Sequence, residues 1–309
     1  MPARTPAAAA TTSEAQEHAT LLGSAVGGAV IALTAVVWGL LSGSGIILFD
    51  GIFAAAGIVL VAVSMLAAHA AGSEPTSRYP FGRHAATPLA VAMQGAALFA
   101  TLAYGAAEAT ATLVAGGSDG DPVQLILYGL VAALGSWGLS VWVNRRAPDS
   151  GLALAEVVSW RSGAWLSLAI AGGGAVGMVL DRTLGRGVAQ YVDPTLLLAV
   201  SVLLLPMPVR LIRQGMHELL EGAPDTVTSA QLADVIGQVR TEHDLPEPLV
   251  RASKVGRRLY VEVDFVVEPG TWSVDAEDDI RRAVVTGLEA LPLDVWATVE
   301  LTTDPDLAA

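Results

Sequence analysis

The sequence predicts an integral membrane fold: an all-α six-helix transmembrane domain followed by a small cytoplasmic α+β domain of order αββαβ. Three observations predict it. Hydrophobic residues make up 53% of the chain and charged residues only 15%, with a mean hydropathy of +0.54; a soluble chain carries nearer a quarter charged residues. Six apolar runs, each long enough to cross a bilayer, occupy residues 21–223. From Pro224 the composition changes, and that tail holds 17 acidic against 7 basic residues, most of the net charge of −13.

In chain order, residues 1–20 are rich in Ala and Thr, with Glu14 and Glu17 ahead of the first apolar run. They lack the basic start and short apolar core of a secretory signal and are read as a disordered extension. Leu21–Leu41 is the first span, and Ser42-Gly-Ser-Gly45 a tight turn. Ile46–Ala71 is the second span, Ala85–Gly116 the third, Pro122–Val143 the fourth and Gly151–Leu180 the fifth. Pro194–Val209 opens the sixth, which continues past Arg210 and Arg213. Six spans leave both termini on one side. The loops there carry Arg78, Arg83, Arg145 and Arg146, against Arg182 and Arg186 opposite. The excess of Arg places the termini in the cytoplasm of a multi-pass cell-membrane protein.

The tail, residues 224–309, reads as one domain. Thr228–Asp244 is a helix with Leu232, Val235, Ile236 and Val239 on one face. Leu249–Val255 and Arg258–Val267 are strands around Gly256, the second alternating Leu259, Val261, Val263 and Phe265. Ser273 caps a helix over Val274–Leu291, and Trp296–Thr302 is a third strand. Its acidity excludes nucleic acid as a partner. The absence of cysteine excludes disulfides, thiolate metal sites and thiol nucleophiles. With no nucleophile–base pair or phosphate loop, nothing points to an enzyme.

Asp50 is the focus of the membrane region, a single acid in an uncharged run that continues to His69. A carboxylate there is expensive, and function is its default explanation; an acid near a helix start, favoured by the dipole, is the plainer one. The fifth span carries Glu156 and, deeper, Arg161. Arg161 stands about 15 Å into that helix. It either snorkels to the cytoplasmic surface, faces Glu156, or pairs with Asp50 in the bundle interior.

Several local sequences resemble the cation diffusion facilitator, or cation efflux, family. They are Tyr79-Pro-Phe-Gly-Arg-His84 after the second span, Glu108-Ala109 in the third, Asp193-Pro194 at the start of the sixth, and Glu218-Leu-Leu-Glu-Gly-Ala-Pro-Asp225 at the membrane exit. The resemblance covers nearly everything after residue 20. It implies efflux of a divalent cation coupled to proton entry, in a homodimer joined through the tail. It also implies a four-ligand cation site with two acids from the second span and two ligands from the fifth, each pair one turn apart. Asp50 matches the first acid; the other positions fall on Ala54, Ser159 and Gly163, of which Ser159 alone offers a side-chain oxygen. The loop histidines of a further family site fall on Tyr79 and Arg83. Two functions therefore stand open. One is a cation transporter with Asp50 and Ser159 at the metal site and a divalent cation as cargo, no cofactor being implied. The other is a transport-inactive relative, serving as a dimeric membrane scaffold or partner subunit.

Overall fold

A computed structural model of the chain describes residues 6–118, 121–146, 148, 151–184, 187–270 and 272–308. Its helices are α1 (Pro6–Ser42), α2 (Gly45–Ala71), α3 (Ala86–Val114), α4 (Pro122–Arg146), α5 (Gly151–Leu184), α6 (Val192–Leu204), α7 (Pro206–Leu219), α8 (Thr226–Glu242) and α9 (Val274–Leu288). Six helical stretches are long and apolar enough to span a membrane, the last running over Ala189–Leu219.

Helix α1 starts at Pro6, and alanine, the strongest helix former, fills residues 7–10. One expectation is corrected here. The sixth span is two helices rather than one. Pro206 has no N–H to continue the ladder, and at Leu205 the backbone turns to a tighter bond with the Val202 carbonyl at 3.3 Å.

The chain divides into two compact units: one runs to Ala62 and resumes over Ala97–Pro208, the other comprises Val63–Ala96 and Val209–Ala309. Residues 63–96 thus fall in the same unit as the tail.

In the first unit α1 and α2 form a tight hairpin about Gly43, whose φ of 67° suits glycine. Gly51 lets the two backbones close up, since a methyl group there would lie 2.6 Å from the Val36 nitrogen. Helices α4 and α5 pack most extensively. At Gly129 an added methyl would stand 2.5 Å from the Ser167 carbonyl oxygen. Small residues serve membrane helices in this way, because close approach replaces the hydrophobic drive that lipid cannot supply.

In the second unit α8 and α9 cover one face of a three-stranded sheet. Its strands, β1 (Leu249–Val255), β2 (Arg258–Val266) and β3 (Asp294–Thr302), stand in the order β1-β2-β3. β1 and β2 are antiparallel; β2 and β3 are parallel, joined by the α9 crossover. The expected period-two face is the core: Leu259, Val261, Val263 and Phe265 pack on Leu232, Ile236, Ile280, Val284 and Leu288. Ser273 caps α9 through the Ala276 N–H at 3.3 Å. Asp225 caps α8 in the same way. The Thr228 N–H and hydroxyl, then the Val227 N–H, hold its carboxyl below the usual carboxylate range.

Candidate functional site

The start of α2 is fixed by Ser44, just before it, and by Asp193, far away in sequence. Ser44 precedes the helix, and its Oγ accepts from the Ile47 N–H at 3.3 Å. Asp193, from the first turn of α6 and 2% exposed, closes the end. Its carboxylate accepts from the Ser44 hydroxyl at 2.6 Å, the Gly45 N–H at 2.8 Å and the Ile46 N–H at 3.2 Å. Orphan amides at a helix start point outward with partial positive charge, so a carboxylate there satisfies both hydrogen bonding and the dipole.

Asp50 follows Gly45 by five residues, about 7.5 Å along the helix. It is half-buried, and its Oδ2 accepts a short hydrogen bond from the Tyr128 hydroxyl of α4. Tyr128 is 1% exposed. The Trp38 ring of α1 meets it edge-on, with centroids 5.9 Å apart, and the Trp38 Nε1–H donates to Gln124 Oε1 at 2.9 Å. Asp50 is thus held by α4 rather than α5, behind two aromatic rings braced on α1. A groove of about 560 Å³ runs along α1 beside Thr34, Trp38, Ser42 and Gln124.

The other ligand positions do not gather around it. Ala54 and Ser159 are exposed and Gly163 is half-buried. Gly163 faces α4, where Ser136 Oγ lies 3.8 Å from the position a methyl group would take. The Asp50–Arg161 pair is not made. Arg161 is exposed and places its guanidinium over the Trp137 ring, 6.0 Å from the centroid. The reason is azimuth: two residues on from Ser159, Arg161 points about 200° away from it, and a neighbouring indole face attracts a cation.

Glu156 finds its partner in α1. The Ser24 hydroxyl, fully buried, donates to Glu156 Oε2 at 2.6 Å and accepts from the Trp160 Nε1–H at 2.7 Å. Glu108 is exposed on α3. At the loop positions, the Arg83 guanidinium stacks over the Tyr79 ring at 4.6 Å. Among the described residues no group of three or more His, Cys, Asp and Glu is placed to hold a metal ion.

Tyr128, Ser24 and the capping role of Asp193 were not found from sequence. For Tyr128 a signal existed: a tyrosine inside an apolar span needs a partner for its hydroxyl, and Asp50 stands at a similar depth, five residues into α2 as Tyr128 is six into α4. Ser24 resembles any small polar residue in a membrane helix and gave no such signal.

No curated protein matches the chain. The family model of the cation efflux transmembrane domain matches residues 21–220, which takes in all six spans together with Asp50 and Asp193. With its six apolar helices and its small three-stranded domain, the chain belongs to the cation efflux, or cation diffusion facilitator, family of multi-pass membrane cation transporters.

Proposed function

We propose that the protein exports a divalent cation from the cytoplasm in exchange for protons, as a homodimer with both termini cytoplasmic and without an enzymatic step. The observation that carries this reading is Asp50, a carboxylate kept inside the efflux domain by the Tyr128 hydroxyl. An acid at membrane depth costs about 3 kcal/mol on insertion scales, so its retention calls for a task. Asp50 can exchange a proton for a cation, with Tyr128 holding the carboxylate in one orientation. Oxygen ligands of this kind suit hard or borderline cations that keep part of their water. The test is cation uptake into proteoliposomes with an internal pH dye. The reading expects opposed cation and proton movement, lost in Asp50→Asn. Cation movement that survives Asp50→Asn would refute it.

A second reading is a transport-inactive scaffold or partner subunit. It is favoured by the remaining ligand positions, where Ala54 and Gly163 bring no donor atom and Ser159 stands exposed. The same vesicles decide between them: no cation movement with any divalent metal, in protein that still self-associates, supports the scaffold.

A further inference from the structure

The membrane unit contains a second carboxylate that the reading above does not use. Glu156 lies on α5, five residues beyond Gly151 and about 7.5 Å from that end of the helix. Its Oε2 accepts from Ser24, which is itself oriented by Trp160. With the serine oxygen accepting the indole N–H, its single proton is directed at Glu156. The three side chains thus form one polarised chain from Trp160 to Glu156 across the α1–α5 contact.

A further hydroxyl lies at the same level. Ser140 of α4 is 0% exposed, and its Oγ makes no hydrogen bond among the described residues. Helices α4 and α5 are antiparallel in a register that puts Gly129 against Ala171, Ser136 against Gly163 and Val143 against Val157. That register sets Ser140 opposite Trp160. A buried hydroxyl without a partner is costly where no water competes. Here it lies across the α4–α5 contact from the indole that orients Ser24.

The charged groups facing this place are few. Helix α1 is uncharged from Ala19 onward, α4 brings Arg145 and Arg146 at its end, and α5 itself brings Arg161. The one acid of α6, Asp193, is engaged on α2 at the other end of the bundle. Arg146 lies over the Trp142 ring at 5.4 Å and Arg161 over Trp137.

We infer that Glu156, held by Ser24 at the end of a hydrogen-bond chain that starts at Trp160, is a second proton-exchange site of the membrane domain. Its place in coupling rests on the proposed cation–proton exchange. In that scheme Asp50 serves the far side of the membrane and Glu156 the side from which α5 begins. The step is a proton transfer alone: an O–H bond forms on a Glu156 carboxylate oxygen as water gives up a proton, and breaks when the proton returns to water. Ser24 remains a donor to Oε2 throughout.

The network supplies its own reporter. Protonating Glu156 changes the field along the Ser24–Trp160 chain, so emission from Trp160 should follow it. Full-length protein in liposomes is titrated with pH while tryptophan emission is recorded. The expected result is a titrating component absent from Trp160→Phe and from Glu156→Gln but kept in Asp50→Asn. Glutamine still offers Ser24 an acceptor oxygen, which preserves the contact, and Glu156→Asp as a second variant should restore a titration. Superimposed curves for wild type and Glu156→Gln would overturn the site. In the same vesicles Glu156→Gln should move the pH profile of cation flux while the half-saturating cation concentration stays within about twofold. An unmoved profile would overturn the coupling role. Wild-type flux without proton movement would instead sink the exchange reading, leaving the emission titration to judge Glu156 by itself.

Discussion

A carboxylate in a membrane helix keeps one orientation only if something holds it, and at Asp50 that is the Tyr128 hydroxyl. Removing the hydroxyl leaves a half-buried acceptor without its donor, a loss of about 1–3 kcal/mol. Tyr128→Phe should therefore lower the thermal unfolding midpoint in detergent. In an Asp50→Ala background the same change should cost distinctly less, because the acceptor is already gone. Equal shifts in both backgrounds would show that the contact carries no coupling. Sequence pointed at Asp50 and offered Arg161 as its partner, where the structure has Tyr128. Charge made Arg161 the natural suggestion, whereas helix azimuth and the Trp137 face decide where that guanidinium goes. Partners of opposite charge stand out in a sequence; a neutral phenol in an uncharged span does not.

At the scale of elements, the informative joint is between α2 and α6. Asp193 satisfies the Ser44 hydroxyl and two backbone amides in a buried place. Asp193→Ala strips all three of their acceptor, which should cost about 3 kcal/mol or more. Asp193→Asn keeps one acceptor oxygen and should fall between alanine and wild type in the same thermal measurement. An alanine variant as stable as wild type would contradict the capping role. The spans themselves were legible, since twenty apolar residues between turn signals admit few alternatives. The break in the sixth span was legible in principle from Pro206 but not in position, because membrane helices tolerate proline where neighbours satisfy the freed groups. The Asp193–Pro194 pair was visible as a motif while its task was not, since local spacing says nothing about a partner 149 residues away.

At the scale of the whole molecule, charge is unevenly distributed along the chain, with most of the net −13 in the tail. Part of that acidity is held at a cost. Asp264, 4% exposed on β2, has its carboxyl raised above the usual range by burial and then by Glu262, with Arg251 working against them. The folded domain consequently holds that proton more tightly than the unfolded chain does. The contribution to stability is present below the unfolded pKa and lost as pH rises through the raised one. Asp264→Asn keeps an acceptor for Arg251 and removes the charge, so it should slow hydrogen exchange of the β2 amides at neutral pH. The gain should vanish in acid; slowing that is the same at both pH values would contradict this account. The αββαβ order and its core face were legible because alternation and helical periodicity report burial directly.

The clamp from Asp193 onto α2 also has a consequence for how the protein is made. Synthesis runs from the N-terminus, so the second span is completed while its acceptor, at the head of the sixth, has yet to leave the ribosome. For that interval the Gly45 and Ile46 amides and the Ser44 hydroxyl must borrow partners from interfacial water or the translocation machinery. A contact of such long sequence separation forms late. The end of α2 that carries Asp50 is accordingly sealed only when the last span arrives, which makes insertion of the sixth span the step that commits the nascent chain to its interior.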